Sequence, residues 1–450
     1  MRVRCLVLVL ILVVLAACGS SSKKGTPPPG GTKAPNQLST ALGTGVTATE
    51  IKLGISLSDF DCIKQYVDSI FVGQEQIYQA FIDDINKKGG INGRKIVPVI
   101  HKFCPIPDPQ RLATICTKFT EDDKVFAVIG NLFDQTGNAQ TCIAKRHKTP
   151  LFAFMLTQEI INKSPPGLIV LPGNTAERVT TVLTGLLQKN HTVDGKKVGI
   201  LGETTTASAV KKSVEPALRQ LGVQTGSTAI LQIAGADTTS AQGQLDSFIE
   251  RWKGEGTNAL FITGTQVASK QFVEKVRKEM PDVMLLTDVS DVQRFGQEET
   301  QAGRKPNPYE GIISATGPTD TESDHGANWK ECARIYKEQT GKDAPDSTVV
   351  IPGPDGKTID TNQAIRDTCQ LVTLFYDIAT KAGQYLNIET WVNAVDNYGP
   401  IRNMDGGQYA SLHKGKYDID DTFRLSSFDS SIPPQGSWKP LTELQNISGG

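Results

Sequence analysis

The chain holds little of what catalysis or metal binding is commonly built from. Its five histidines (His101, His147, His191, His325 and His413) are isolated, with no pair at helical spacing to grip a metal ion. No H-E-x-x-H, C-x-x-C or G-x-S-x-G pattern occurs. Gly353–Thr358 looks like a phosphate loop but is two residues short: Ile351 stands where the first glycine is required. That segment reads as a surface turn. No catalytic residue, metal or cofactor is expected. Neither sign of charge is in excess, with 47 Lys+Arg against 48 Asp+Glu, so nothing points to nucleic acid. Beyond the first residues, no apolar run reaches the roughly 20 residues of a spanning helix.

What is present begins with export. Met1–Arg4 carries two positive charges, and Cys5–Ala17 is an unbroken apolar run of signal-peptide length. The run ends in Leu15-Ala16-Ala17-Cys18, which resembles the bacterial lipobox, in which the cysteine is lipidated and becomes the new N-terminus. The resemblance implies a signal peptide over 1–17 and a protein anchored by Cys18 to the outer face of the cell membrane. The polar, Ser/Gly/Pro/Lys-rich stretch that follows cannot bury enough surface to offset its ordering entropy. Residues 18–43 therefore read as lipidated cysteine and flexible tether.

Of eight cysteines, six remain in the body. Cys116 lies on the apolar stripe Leu112/Ile115/Cys116/Phe119, and Cys142 on Ala139/Cys142/Ile143 of the next helix. Cys332 belongs to Trp329/Cys332/Ala333/Tyr336, and Cys369 to Ile365/Cys369/Val372. Cys62 and Cys104 each follow a strand in neighbouring β–α units. The expected pairs are 62–104, 116–142 and 332–369, reasonable in an oxidising compartment; six buried thiols are the alternative.

From about Thr44 the pattern is short apolar strand followed by amphipathic helix. Strands are predicted at Ile51–Leu57, Ile96–Ile100, Val125–Gly130 and Leu151–Phe154, then at Leu168–Leu171, Val198–Leu201, Thr228–Ile233, Ala259–Thr263, Met284–Asp288 and Ile312–Thr316. Two helices, Gly326–Gln339 and Asn362–Ala382, come late, and a strand-like tail, Thr422–Ser427, later still. The alternation implies an α/β fold with parallel sheets covered on both faces. Length favours two domains.

One stretch is more specific. Gly45-Val46-Thr47 and Ile51–Gly54 lead the first strand, and Asp84–Ile96 closes the first helix with Gly89-Gly90-Ile91-Asn92-Gly93. With Val128-Ile129-Gly130 and Thr149-Pro150-Leu151, these residues resemble the leucine/isoleucine/valine-binding protein family, type I periplasmic binding proteins that serve ATP-driven importers. The resemblance implies two Rossmann-like lobes joined by a three-segment hinge, with the ligand cleft between them. The lobes would be 44–172 with 317–395, and 173–316 with 396–450. The crossings are expected near Leu171–Asn174, Thr316–Thr319 and Ala394–Gly399.

The same resemblance places ligand contacts. Thr157 falls on the family's pocket threonine and Asp288 on its second-lobe acid. Asp134 falls where amino-acid binders carry serine, followed by Gln135, and a carboxylate there would repel a ligand carboxylate. Asp134 also reads simply as the cap of the helix beginning near Thr136, and Thr157 as a cap likewise. Met155 is larger than the family's usual small residue, and Thr205 and Gln266 stand where aromatics are common. The expected function is capture of a small polar ligand, an amino acid, amide or related solute. The chain would act as a monomer with an ABC permease and ATPase on separate chains, touching the membrane through its lipid alone. A sensor passing occupancy to a membrane receptor or kinase is the first alternative; an extracytoplasmic enzyme is the weakest.

Overall fold

The computed structural model of the protein describes residues 38–64, 69–105, 108–132, 134, 136–154, 156–233, 239–401 and 409–447. The signal segment and Cys18 lie outside the described residues. The first sheet is parallel, with strands β1 (Glu50–Ser58), β2 (Lys95–Phe103), β3 (Ala127–Gly130), β4 (Leu151–Phe152) and β5 (Ile169–Val170) in the order β2-β1-β3-β4-β5. β1, inside the sheet, alternates Ile51, Leu53, Ile55 and Leu57 with Lys52, Gly54, Ser56 and Ser58, and from Leu53 onward both its faces are buried. Gly54 is required there, since a Cβ would lie 2.7 Å from the Phe119 ring.

The glycine-rich run after α1 (Gln74–Lys87) has a steric explanation. Gly90 has φ +70°, and a Cβ on it would stand 1.9 Å from the Arg94 carbonyl oxygen. Ile91 bridges back to Arg94 and is buried, which closes a tight turn into β2. Arg94 then fixes that turn to the body, donating from Nε to the Thr47 carbonyl at 2.7 Å and from Nη2 to the Gln384 carbonyl at 2.9 Å.

The second sheet has strands β6 (Lys197–Glu203), β7 (Gln224–Leu231), β8 (Ala259–Thr263), β9 (Met284–Thr287), β10 (Ile313–Thr316), β11 (Thr422–Asp429) and β12 (Ser437–Pro440). Their order is β12-β11-β10-β9-β8-β6-β7, with Gln445–Asn446 pairing β11 off this path. β6 to β10 are parallel, whereas β11 runs antiparallel to β10, so the late strand closes the sheet as an antiparallel addition. Separate apolar cores cover its two faces, one around Trp252 and Phe272, the other around Leu187 and Phe261.

The helices in use below are α2 (Gln158–Asn162), α3 (Ala176–Lys189), α4 (Val292–Gln301), α5 (Ala327–Thr340), α6 (Thr361–Ala382) and α7 (Ile388–Asp396). α5, α6 and α7 return to the first lobe, where Trp329, Phe375 and Trp391 join the core of the first sheet. Trp391 is fully buried against Phe126 and Phe152 and donates its indole N–H to the Gly167 carbonyl at 3.1 Å.

Three passages link the lobes. Leu171 to Gly173 runs beside the last passage, with Leu171 N–H donating to Tyr417 and Ile419 N–H to Gly173. The second follows β10 and enters Asp320–Asp324 through a capping box of Thr319 and Glu322. The third lies later than the Ala394–Gly399 expected from the sequence. After α7 the chain makes an antiparallel pair, Gly399–Pro400 with Ser411–Leu412. Leu412, Tyr417 and Ile419 still pack in the first core, so the chain leaves that lobe only on approaching β11.

Disulfides join Cys62 to Cys104, Cys116 to Cys142 and Cys332 to Cys369, the last clipping α5 to α6. A small three-stranded sheet, Ile351–Pro352, Thr358–Ile359 and Ser69–Ile70, ties the segment between α5 and α6 to the loop after β1. Among the described residues no helix is long and apolar enough to cross a membrane.

Candidate functional site

In open parallel sheets the carboxyl ends of the strands carry the ligand-facing loops. Here β1 ends at Ser58, β3 at Gly130, β6 at Glu203, β8 at Thr263 and β9 at Thr287. On the first lobe, Gln74 Nε2 donates to the Ser58 carbonyl at 3.5 Å, and Asn131 Nδ2 to Gln74 Oε1 at 3.4 Å. Ser58 is buried and its Oγ has no hydrogen-bond partner. Gly130 (φ +109°) lets the chain turn here, because a Cβ would meet the Ser56 carbonyl oxygen at 2.2 Å.

The sequence-predicted residues of this lobe are largely engaged with their own loops. Asp134 is buried; Oδ1 accepts Thr136 N–H at 2.9 Å and Thr136 Oγ1–H at 2.5 Å, and Oδ2 accepts Ala139 N–H at 2.8 Å. It therefore caps its own turn. Thr157 caps α2, its Oγ1 accepting from Ile160 N–H at 3.3 Å. Gln135 and Met155 lie outside the described residues.

On the second lobe, Thr205 and Gln266 converge on a residue that sequence reasoning missed. Glu203 is buried; Thr205 Oγ1 donates to its Oε1 at 2.7 Å, and the N–H groups of Gln266 and Val267 donate to Oε2 at 2.9 and 3.1 Å. Burial pushes the Glu203 carboxyl up, with the hydrogen bonds from Thr205 and the two amides opposing the rise. Gly264 admits it closely, since a Cβ there would lie 2.7 Å from Glu203 Cγ. The available signal is that Glu203 is the one acid of the strand KVGILGE and stands at its carboxyl end.

Asp288 lies deeper. Its Oδ2 accepts from Thr180 Oγ1 at 2.7 Å and Thr263 Oγ1 at 3.0 Å, while Oδ1 has no partner. Burial pushes it up to about 7 against those two hydroxyls, and nearby Glu177 adds to the rise.

α2 carries contacts between the lobes. Gln158 N–H donates to Glu177 Oε2 on α3 at 3.0 Å. Glu159 Oε2 accepts from Ser208 Oγ at 2.7 Å and Lys212 Nζ at 3.0 Å, and Lys163 pairs with its other oxygen at 3.2 Å. The hydrogen bonds from Ser208 and the two lysines bring the Glu159 carboxyl down to about 2. Two cavities of the described structure, about 220 Å³ beside Phe81 and Tyr376 and about 310 Å³ beside Glu322 and Trp438, lie away from these residues. The grouping of Cys116, Cys142 and His147 is not a thiolate metal site, because its two sulfurs are bonded to each other.

Two α/β lobes with three passages and polar contacts across their facing strand ends define a two-lobed binding protein. The sequence pattern of the periplasmic binding protein family matches residues 67–351, well over half the chain, and the chain belongs to that family. Solved structures share the fold. The solute-binding protein of an ABC transporter from Rhodopseudomonas palustris BisB5, in complex with 3,4-dihydroxybenzoic acid, is 15% identical, with TM-score 0.59, over 88% of this chain and 98% of that one. A leucine-binding protein from Thermotoga maritima is 13% identical, with TM-score 0.61, over 88% and 99% of the two chains. A fatty acid ABC transporter substrate-binding protein from Thermomonospora curvata is 17% identical, with TM-score 0.61, over 90% and 95%. No curated protein sequence matches the chain.

Proposed function

We propose that the protein captures a small polar solute outside the cell membrane, held there by a lipid on Cys18, and delivers it to an ABC permease. The reading rests chiefly on the family's two-lobed fold, with α2 and α3 meeting where the strand ends of both lobes converge. The relatives' named functions as ABC transporter binding proteins agree with it. Binding needs no chemistry: a ligand touching both lobes favours the closed state by its differential affinity. We assign the protein no catalytic role, and the permease and ATPase to separate chains. Thr157, Glu177 and Asp288 line the proposed ligand zone, an amino acid, amide or related polar molecule being its cargo.

Mass spectrometry of small molecules released on denaturing the purified mature protein tests this. A stoichiometric polar metabolite is the expected result. The same compound added back to stripped protein must raise the melting midpoint, since it binds only the folded state. No released compound, together with no midpoint shift across a broad solute panel, would overturn the proposal.

A further inference from the structure

The helices Pro109–Thr117 and Asn138–Thr141 both run into a π-turn, at Lys118–Asp122 and Cys142–Arg146. Such turns are rare, bond each residue to the fifth along, and recur at functional sites. In the second, His147 N–H donates to the Cys142 carbonyl at 3.1 Å, which makes Cys142 and His147 neighbours on one helix end. Glu121 follows Cys116 at the same interval on the other. The Cys116 and Cys142 sulfurs and a ring nitrogen of His147 lie within 4.8 Å of one another. His147 Nε2 is buried, makes no hydrogen bond, and comes to 3.4 Å from Glu121 Oε1.

While Cys116 and Cys142 are bonded, the cluster has no thiolate to offer. Core packing also holds the two helix ends together, since Ile115, Phe119, Ala139 and Ile143 are buried in the core of the first sheet. A dithiol reductant that opens the bond gives two electrons and two protons to the sulfurs and itself closes to a cyclic disulfide. Two thiols then face an imidazole and a carboxylate. On tetrahedral zinc, with Zn–S near 2.3 Å, two thiolates stand roughly 3.8 Å apart. Small side-chain rotations carry a freed pair to that separation.

We propose that the reduced form of the protein binds one zinc ion through Cys116 Sγ, Cys142 Sγ and His147, with Glu121 as their carboxylate partner. Zinc displaces the two thiol protons as it binds. With Nε2 as the ligand atom, Glu121 takes the fourth position; with Nδ1, it accepts the Nε2–H hydrogen bond, the usual outer partner of a zinc-bound histidine. Two sulfurs and an imidazole select zinc against magnesium or calcium, which take oxygen. The side chains of His147 and Glu121 are 21% and 49% exposed, so the ion enters from solvent without unfolding. The metal replaces the bond, and the two helix ends stay clipped in either redox state. The site stands or falls independently of solute capture.

The test uses mature protein reduced with dithiothreitol, freed of reductant anaerobically and titrated with zinc against a chromophoric chelator. One zinc per chain is expected in the reduced protein and none in the untreated one. Cobalt(II) in place of zinc should give thiolate-to-metal charge-transfer absorption and tetrahedral d–d bands. His147→Ala is expected to weaken zinc binding by about tenfold or more, and Cys116→Ser with Cys142→Ser to abolish it. Zinc should also raise the melting midpoint of the reduced protein, because it binds the folded form, and His147→Ala should lose that rise. This second readout holds even where reduction loosens the fold. Reduced protein that takes up no zinc and shows no rise in midpoint overturns the proposal. So does equal uptake by untreated protein, or a zinc affinity unchanged in His147→Ala.

Discussion

Arg178 Nη2 donates to Asp421 Oδ1 at 2.5 Å, tying the first turn of α3 to the last passage between the lobes. Asp421 is fully buried, and Arg178 Nη1 bonds Asp418, also buried, at 3.2 Å. Lys416 adds a second cation at 3.2 Å from Asp421, and Ser411 Oγ donates to that residue's other oxygen at 2.5 Å. Burial lowers the Lys416 ammonium, while Asp418 and Asp421 hold it up. A cluster so buried is costly to leave half complete.

Arg178→Met therefore strands two buried carboxylates on one lysine. The expected loss is about 3 kcal/mol of folding stability, the scale for breaking a buried pair by removing one partner. Urea denaturation followed by tryptophan fluorescence measures it. A midpoint equal to wild type would show that water, not Arg178, satisfies the aspartates.

A second consequence concerns Asp288. Its folded pKa is raised to about 7 from 3.8, so between those values the folded state binds a proton that the unfolded state has released. Stability from this group is intact at low pH and falls as pH rises toward 7, then stays low. Asp288→Asn cannot ionise. It should gain on wild type by up to about 3 kcal/mol between pH 5 and 8, at roughly 1.4 kcal/mol per pH unit until the folded group ionises. Parallel melting curves for the two proteins across that range would defeat the assignment.

The alternation of strand and helix was legible in the sequence because each buried strand is a short apolar run and each helix shows its stripe. The half-cystine positions were legible for the same reason: Cys332 and Cys369 each stand on an apolar helix stripe, and the structure bonds them. The last passage was not legible. Tyr417 and Ile419 look like a second-lobe entry by position, yet their packing against the first core decides where the lobe ends. The site was harder still. Thr205 and Gln266 gain their meaning from Glu203, and Glu177 from Gln158 on another element, relationships that no local pattern encodes.

The Cys332–Cys369 bond closes a loop of sequence separation 37 that contains the whole segment between α5 and α6. Replacing both with serine should cost roughly 3–4 kcal/mol through the freer unfolded chain. Thermal melting of the double variant under non-reducing conditions reads the loss. A wild-type midpoint would mean that helix packing around Trp329 and Phe375 suffices without the bond.

α4 makes a second seam between the lobes, in which Gln301 bridges through neutral hydrogen bonds. Gln301 accepts from Thr358 Oγ1 at 2.7 Å through Oε1 and donates through Nε2 to Gln435 Oε1 at 2.7 Å. Gln435 in turn donates to the Ser347 carbonyl at 3.3 Å, so the second lobe grips the α5–α6 segment of the first at two points. At α2 the corresponding grip is ionic, between Glu159 and Lys212. Salt screens the ionic contact and leaves neutral hydrogen bonds largely unaffected. Gln301→Ala should thus loosen closure at every ionic strength, each exposed bond contributing about 1 kcal/mol or less. Glu159→Gln should loosen it at low salt and match wild type near 1 M. Small-angle scattering gives the radius of gyration for all three proteins across a salt series. If Gln301→Ala and Glu159→Gln respond to salt alike, the two seams are not physically distinct.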